Sequence, residues 1–195
     1  MFTPADEQAM RLALDQAHNA WLVGEVPVGA VIVRPTPDGP QVVATGYNRP
    51  ITTHDPTAHA EIVALRHAAS LAENYRLPDC ELFVTLEPCA MCAMALMHAR
   101  FKRVVFAAAD PKTGAAGSVI NLFELPQLNH HTALEGGLMA DTCGALLKRF
   151  FAERRAQQKA EREAAVAAPA EPDTDDAPIP AGDAVELPHH DPEDR

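Results

Sequence analysis

The groups in this 195-residue chain best suited to chemistry are two thiols, an imidazole and a carboxylate. Pro88-Cys89-Ala90-Met91-Cys92 sets Cys89 and Cys92 one turn apart at a helix start, where unpaired amides and the helix dipole favour thiolate over thiol. Alone, a C-x-x-C pair has three readings: half of a structural zinc site, a redox pair, or two small buried residues. Upstream, His59-Ala60-Glu61 supplies an imidazole and, two residues later, a carboxylate. His59, Cys89 and Cys92 together fill three corners of a tetrahedral Zn2+, one ion per subunit, and leave the fourth for water, which separates a catalytic zinc from a closed structural one. Coordination lowers the pKa of water from about 15.7 to roughly 7, and Glu61 is the base placed to carry its proton. Taken singly, His59 reads as a cap or packing residue and Glu61 as a solvated acid. Their combination with P-C-x-x-C about thirty residues downstream favours a catalytic zinc over these separate readings. Residues two apart do not share a helix face, so His59 and Glu61 are expected to work end-on from the first turn.

The elements that must position these groups are legible from periodicity. Thr3-Pro4 is a helix start, and Met10, Leu14, Ala17 and Trp21 recur at helical spacing towards Gly24. Residues 28–33 and 42–47 are β-branched runs, predicted as a hairpin around Pro35-Thr36-Pro37-Asp38-Gly39-Pro40, a stretch expected to lie outside the strands. Thr57 is the expected cap of a helix over residues 58–73. A strand over 82–86 leads through Glu87-Pro88 into a helix over 89–100, and a further strand covers 104–107. Turn formers fill 110–117, and a last helix runs from about 141 past Arg154 and Arg155. This order predicts an α/β fold with a mixed sheet layered by helices.

Composition bounds the partners. Of the net charge of -11, residues 160–195 carry -9, from eleven acids against Arg162 and Arg195, so residues 1–159 are close to neutral. The division predicts a catalytic domain over 1–159 and a disordered, acidic, Pro/Ala-rich tail over 160–195. Without a basic n-region, an apolar h-region or a run of about twenty apolar residues, the chain is expected to be cytoplasmic and free of the membrane. Cys80 and Cys143 have no ligand partner at useful spacing and are expected to be inert thiols. His130-His131 and His189-His190 are candidates only for adventitious metal.

The zinc signature resembles that of the cytidine deaminase superfamily, and further stretches resemble the bacterial tRNA adenosine deaminases. These are residues 25–30 (EVPVGA), 48–50 (NRP), 54–61 (HDPTAHAE), 75–77 (YRL), 85–92 (TLEPCAMC), 112–117 (KTGAAG) and Phe150-Phe151. The resemblance covers about residues 6–157. It implies a three-layer cytidine deaminase-like fold, with helices on both faces of the mixed sheet, and a homodimer. The reaction it implies is hydrolysis of the wobble adenosine to inosine in the anticodon stem-loop of an arginine tRNA. Zinc-activated water attacks C6, Glu61 protonates N1 and assists departing ammonia, and Asn48 and Ala60 hold the flipped base. Asp110, Lys112, Asn129, Phe151, Arg154 and Arg155 fall where family members touch the anticodon loop. Each has a plainer reading: Phe151 also suits a helix core, and Arg154 and Arg155 also suit a solvated helix end. Lys148, Arg149, Arg154, Arg155 and Lys159 nonetheless form a basic stretch in a slightly acidic domain. Ala109, where the family commonly has arginine, and Pro111, where alanine is usual, depart from its pattern.

Two other readings compete. A deaminase of a free base or nucleoside, such as guanine or cytosine, shares the zinc chemistry but needs no basic terminal helix. A zinc-stabilised RNA-binding scaffold without catalysis is disfavoured by the presence of Glu61 and the open fourth metal position.

Overall fold

A computed structural model of the chain describes residues 1–167. Helix α1 (Pro4–Leu22) begins in a reciprocal capping box: the Asp6 amide donates to Thr3 Oγ1 at 3.2 Å and the Thr3 amide to Asp6 Oδ2 at 2.8 Å. Its buried stripe is small, with Ala9, Met10, Ala13, Ala17 and Ala20. This lets the backbone approach β1 (Gly29–Thr36) so closely that a Cβ on Gly29 would lie 2.1 Å from the Ala13 carbonyl oxygen.

β1 pairs antiparallel with β2 (Gly39–Tyr47) from Gly29↔Tyr47 out to Thr36↔Gly39. The ladder thus runs through Pro35 and Pro40, contrary to the expectation that this stretch lies outside the strands. Past Val33 the third strand no longer pairs with β1, so the prolines oppose one another in a two-stranded ribbon where a missing N–H costs no central ladder bond. A single turn, α2 (Pro50–Thr53), and helix α3 (Ala60–Leu71) follow. Thr57 does not cap α3: its hydroxyl and amide both bond Asp55 Oδ1, at 2.6 and 2.8 Å, and the helix starts later with His59 as its N-cap.

β3 (Glu81–Leu86), α4 (Ala90–His98) and β4 (Arg103–Ala108) then form a strand–helix–strand unit with parallel strands, and the short β5 (Ala133–Gly136) closes the sheet in the order β2-β1-β3-β4-β5. β1 is antiparallel to β2 and β3, while β3, β4 and β5 are parallel, so the sheet is mixed. Strand alternation sends Ala30, Ile32, Leu82, Val84 and Val104 to the face covered by α3 and α4. Val31, Val33, Phe83, Val105 and Ala107 go to the opposite face, against Met10 and Ala13 of α1 and Cys143 near the start of α5 (Ala140–Ala167). This is the expected three-layer α/β arrangement with helices on both faces.

α5 also corrects the expectation that order ends at 160. Residues 161–167 are helical, drawn on by good helix formers and by Lys159 facing Glu163 one turn on, at 3.8 Å. The rest of the expected disordered tail, with His189-His190, lies outside the described residues. Met1–Gln157 forms one compact unit. Among the described residues no helix is long and apolar enough to cross a membrane.

Candidate metal centre and nucleic-acid cavity

The parallel strands β3 and β4 end at the same edge of the sheet, where ligands of open α/β folds gather beyond the strand carboxyl ends. β3 passes through Glu87-Pro88 directly into α4, so Cys89 becomes the N-cap of that helix and Cys92 faces inward from its first turn. His59 is the N-cap of α3, with extended φ -68° and ψ 156°. That resolves the two-residue spacing: His59 stands outside the helix, and Glu61 belongs to its first turn.

His59 Nδ1 lies 3.7 Å from Cys89 Sγ and 3.6 Å from Cys92 Sγ, and the three ligand atoms fall within 4.8 Å of one another. Ideal tetrahedral zinc bonds place a nitrogen and a sulfur ligand about 3.6 Å apart, so the donor set and its spacing fit that ion. The Cys89 thiol is held down at about 4 by the hydrogen bond from Cys92, by His59 and by the helix start, against its burial. The same bond, together with burial, pushes Cys92 up, while the Cys89 sulfur raises His59. Beside them Glu61 is only 4% exposed, and burial lifts its carboxyl to about 7. A proton shuttle at neutral pH needs such a value.

Asn48 and Ala60 form the next part of the site. Asn48 Oδ1 accepts the Ala60 amide at 2.9 Å, which fixes the Asn48 side chain at the entrance to α3 and leaves its amide nitrogen uncommitted by that bond. Gly46, two residues earlier, has no room for a Cβ: one would lie 2.5 Å from the Ala60 oxygen, so β2 and α3 are pressed together here.

Next to the metal residues, the 110–118 loop pairs Gly114 with Cys89 and donates the Ala115 amide to the Pro88 oxygen at 2.8 Å. The loop and α5 enclose a cavity of about 660 Å³ walled by Val26, Leu86, Lys112, Leu147, Phe151 and Arg155 among others. Lys148, Ala109, Asp110 and Pro111 also line it. Phe151 is 44% exposed; the adjacent Phe150 is the core residue, edge-to-face with Trp21 at 5.4 Å.

Of the remaining sequence-predicted contacts, Arg154 and Asn129 do not join this cavity. Arg154 lies over the Phe150 ring at 5.9 Å, and Asn129 lines a separate cavity of about 130 Å³ with Met97 and His98, at the other end of α4 from Cys89. Asp110 is on the cavity wall, but its carboxylate is occupied by its own turn, accepting from the Lys112 and Thr113 amides and the Thr113 hydroxyl. Val26, Leu86 and Leu147 carry no sequence signal beyond core, since they are apolar, and Lys148 stands out in the sequence only as part of a basic run.

The comparisons agree with this geometry. The family described as the cytidine and deoxycytidylate deaminase zinc-binding region matches residues 3–108. A tRNA-specific adenosine deaminase of Haemophilus influenzae is 47% identical over 157 residues, 80% of this chain and 89% of its own length. One from Bacillus subtilis is 38% identical over 157 residues, 80% of this chain and 95% of its own. A solved structure from a study of A-to-I editing by tRNA:A34 deaminases at the wobble position superposes with a TM-score of 0.67 at 41% identity, over 71% of this chain and 98% of that one. On its zinc-binding region and its kinship across most of its length, the chain belongs to the tRNA-specific adenosine deaminases of the cytidine and deoxycytidylate deaminase family.

Proposed function

We infer that the chain hydrolyses the wobble adenosine of a tRNA anticodon loop to inosine and ammonia. The observation that carries this reading is a cationic and aromatic cavity between α5, which supplies Lys148, Phe151 and Arg155, and the loop of Lys112, which pairs directly with Cys89. A free base needs no such wall, whereas an anticodon loop brings phosphates for the cations and splayed bases for the ring.

His59, Cys89 and Cys92 would hold zinc, which supplies a Lewis acid that makes water nucleophilic at neutral pH. Glu61 takes a proton from that water and delivers it to N1 of the base. As the water oxygen bonds C6, Glu61 would pass that oxygen's remaining proton to the amino group, so that the C6–N bond breaks, ammonia leaves and C6 keeps the oxygen as the inosine carbonyl. Its value near 7 lets the one carboxyl serve as base and then acid. Asn48 and Ala60 orient the flipped base, Phe151 offers a face to a neighbouring base, and Lys112, Lys148 and Arg155 engage phosphates.

We further propose an arginine tRNA as substrate, a homodimer, a cytoplasmic location and residues 1–159 as the deaminase domain, with 160–195 an acidic tail outside the reaction. Exposed Met91, Val119 and Ile120, at the α4 start and the adjoining loop, favour a subunit contact. Asn129 and Arg154 then serve RNA binding from outside the cavity, and Asp110 by shaping the turn that carries Lys112 on its wall. Four free cysteines suit a reducing compartment.

The test is inosine formation by zinc-loaded protein on an arginine tRNA with a wobble adenosine, beside adenosine, guanine and cytosine as free substrates. Turnover of tRNA alone is expected. Turnover of a free base with the tRNA untouched would refute the reading.

A further inference from the structure

Glu87 is 3% exposed and stands between β3 and the Pro88-Cys89 step, yet no lysine or arginine pairs with it among the described residues. One loop supplies every partner of its carboxylate. Glu87 Oε2 accepts the Asp110 amide at 2.9 Å and the Ser118 hydroxyl, while Oε1 accepts the Ala116 amide at 2.9 Å and the Ser118 amide at 3.0 Å. A carboxylate has about four acceptor sites, and here each is filled by the segment from 110 to 118.

The fit on the other side is equally close. A Cβ on Gly114 would lie 2.4 Å from Glu87 Cδ and 2.6 Å from the Asp110 oxygen, so the loop wraps the carboxylate at a distance only glycine permits. The segment has no strand or helix of its own, and its two ends converge on this one side chain.

We propose that Glu87 is a positioning residue: its carboxylate fastens the 110–118 loop to the strand leading into Cys89, and so holds Lys112 and the cavity wall in place for RNA. The inference rests on the RNA substrate proposed above. Glutamine is the informative replacement, because it keeps the shape but offers one acceptor oxygen and turns an NH2 towards backbone donors. A loop loosened in this way binds RNA less well, while the metal ligands and Glu61 keep their places.

The test compares zinc-loaded wild type, Glu87→Gln and Ser118→Ala on an anticodon stem-loop with a wobble adenosine, together with zinc stoichiometry and hydrogen–deuterium exchange. Glu87→Gln is expected to raise KM about tenfold with kcat within about threefold, full zinc, and faster exchange confined to 110–118. Ser118→Ala, which removes one donor, moves KM and exchange the same way by less, and carries the test if the glutamine variant does not fold. Loss of zinc and kcat at unchanged KM would overturn the proposal, as would unchanged loop exchange. Inactivity of the wild type on RNA would instead refute the substrate, and exchange in the 110–118 loop would still decide whether Glu87 anchors it.

Discussion

The two ends of the parallel strands bury charge on opposite terms. Where β3 and β4 begin, Arg103 is surrounded: it donates to Asp6 at 2.7 Å, Glu135 at 2.6 Å and Glu81 at 3.3 Å. Where the same strands end, Glu61 is buried among thiols and an imidazole without a lysine or arginine partner among the described residues. The first set is compensated, and burial's tendency to raise Asp6 is outweighed by hydrogen bonds from Arg103 and Thr3, which hold it below the ordinary 3.8. The second is left with a carboxyl near 7 and a thiol near 4. One sheet thus ties down charge at one end and leaves it responsive at the other.

The sharpest way to break that contrast is Glu61→Ala, which should cut inosine formation by about a thousandfold or more with zinc retained. Activity within a few-fold of wild type would remove Glu61 from proton transfer. Arg103→Ala should do the reverse: activity per folded molecule survives, but unfolding in urea reports a loss of about 3 kcal/mol, because buried carboxylates lose their cation. The pH dependence sharpens it further. Since Asp6 titrates lower in the folded state than unfolded, its stabilisation is present above about pH 4 and lost as pH falls through the folded value. The urea midpoints of wild type and Asp6→Asn should therefore differ most near neutral pH and converge in acid; a constant gap would contradict this.

Smaller effects map the cavity. Arg155→Ala should raise KM for tRNA about five- to tenfold and reduce its salt dependence by about one ion, with Arg154→Ala, stacked over Phe150, doing less. Equal effects would mean that the cavity does not define the RNA path. Removing residues 168–195 should change turnover of pure tRNA by less than about twofold, since every group named in the reaction precedes them.

How far the sequence carried this reading depends on the range of the forces involved. The metal residues were legible because ligand type and short spacing express bond chemistry, and α1 because Thr3 and Asp6 cap it locally. The start of α3 was misplaced because Asp55 competes for Thr57, a contact with no periodic signal. Glu87 looked like part of a motif and nothing more, since its partners lie 23 to 31 residues away. Asn129 and Arg154 were assigned by likeness to relatives, and only packing separates them from Arg155. β5 is four residues long and half-exposed, too short for its alternation to stand out.

The helix starts have a last consequence. α1 is capped by a side chain, whereas α3 and α4 place His59 and Cys89 in the cap positions and make no such bond. Each forgoes about 1 kcal/mol that serine or aspartate would contribute there. Evolution towards heat resistance, run in the absence of metal, would therefore favour replacing these two ligands by capping residues.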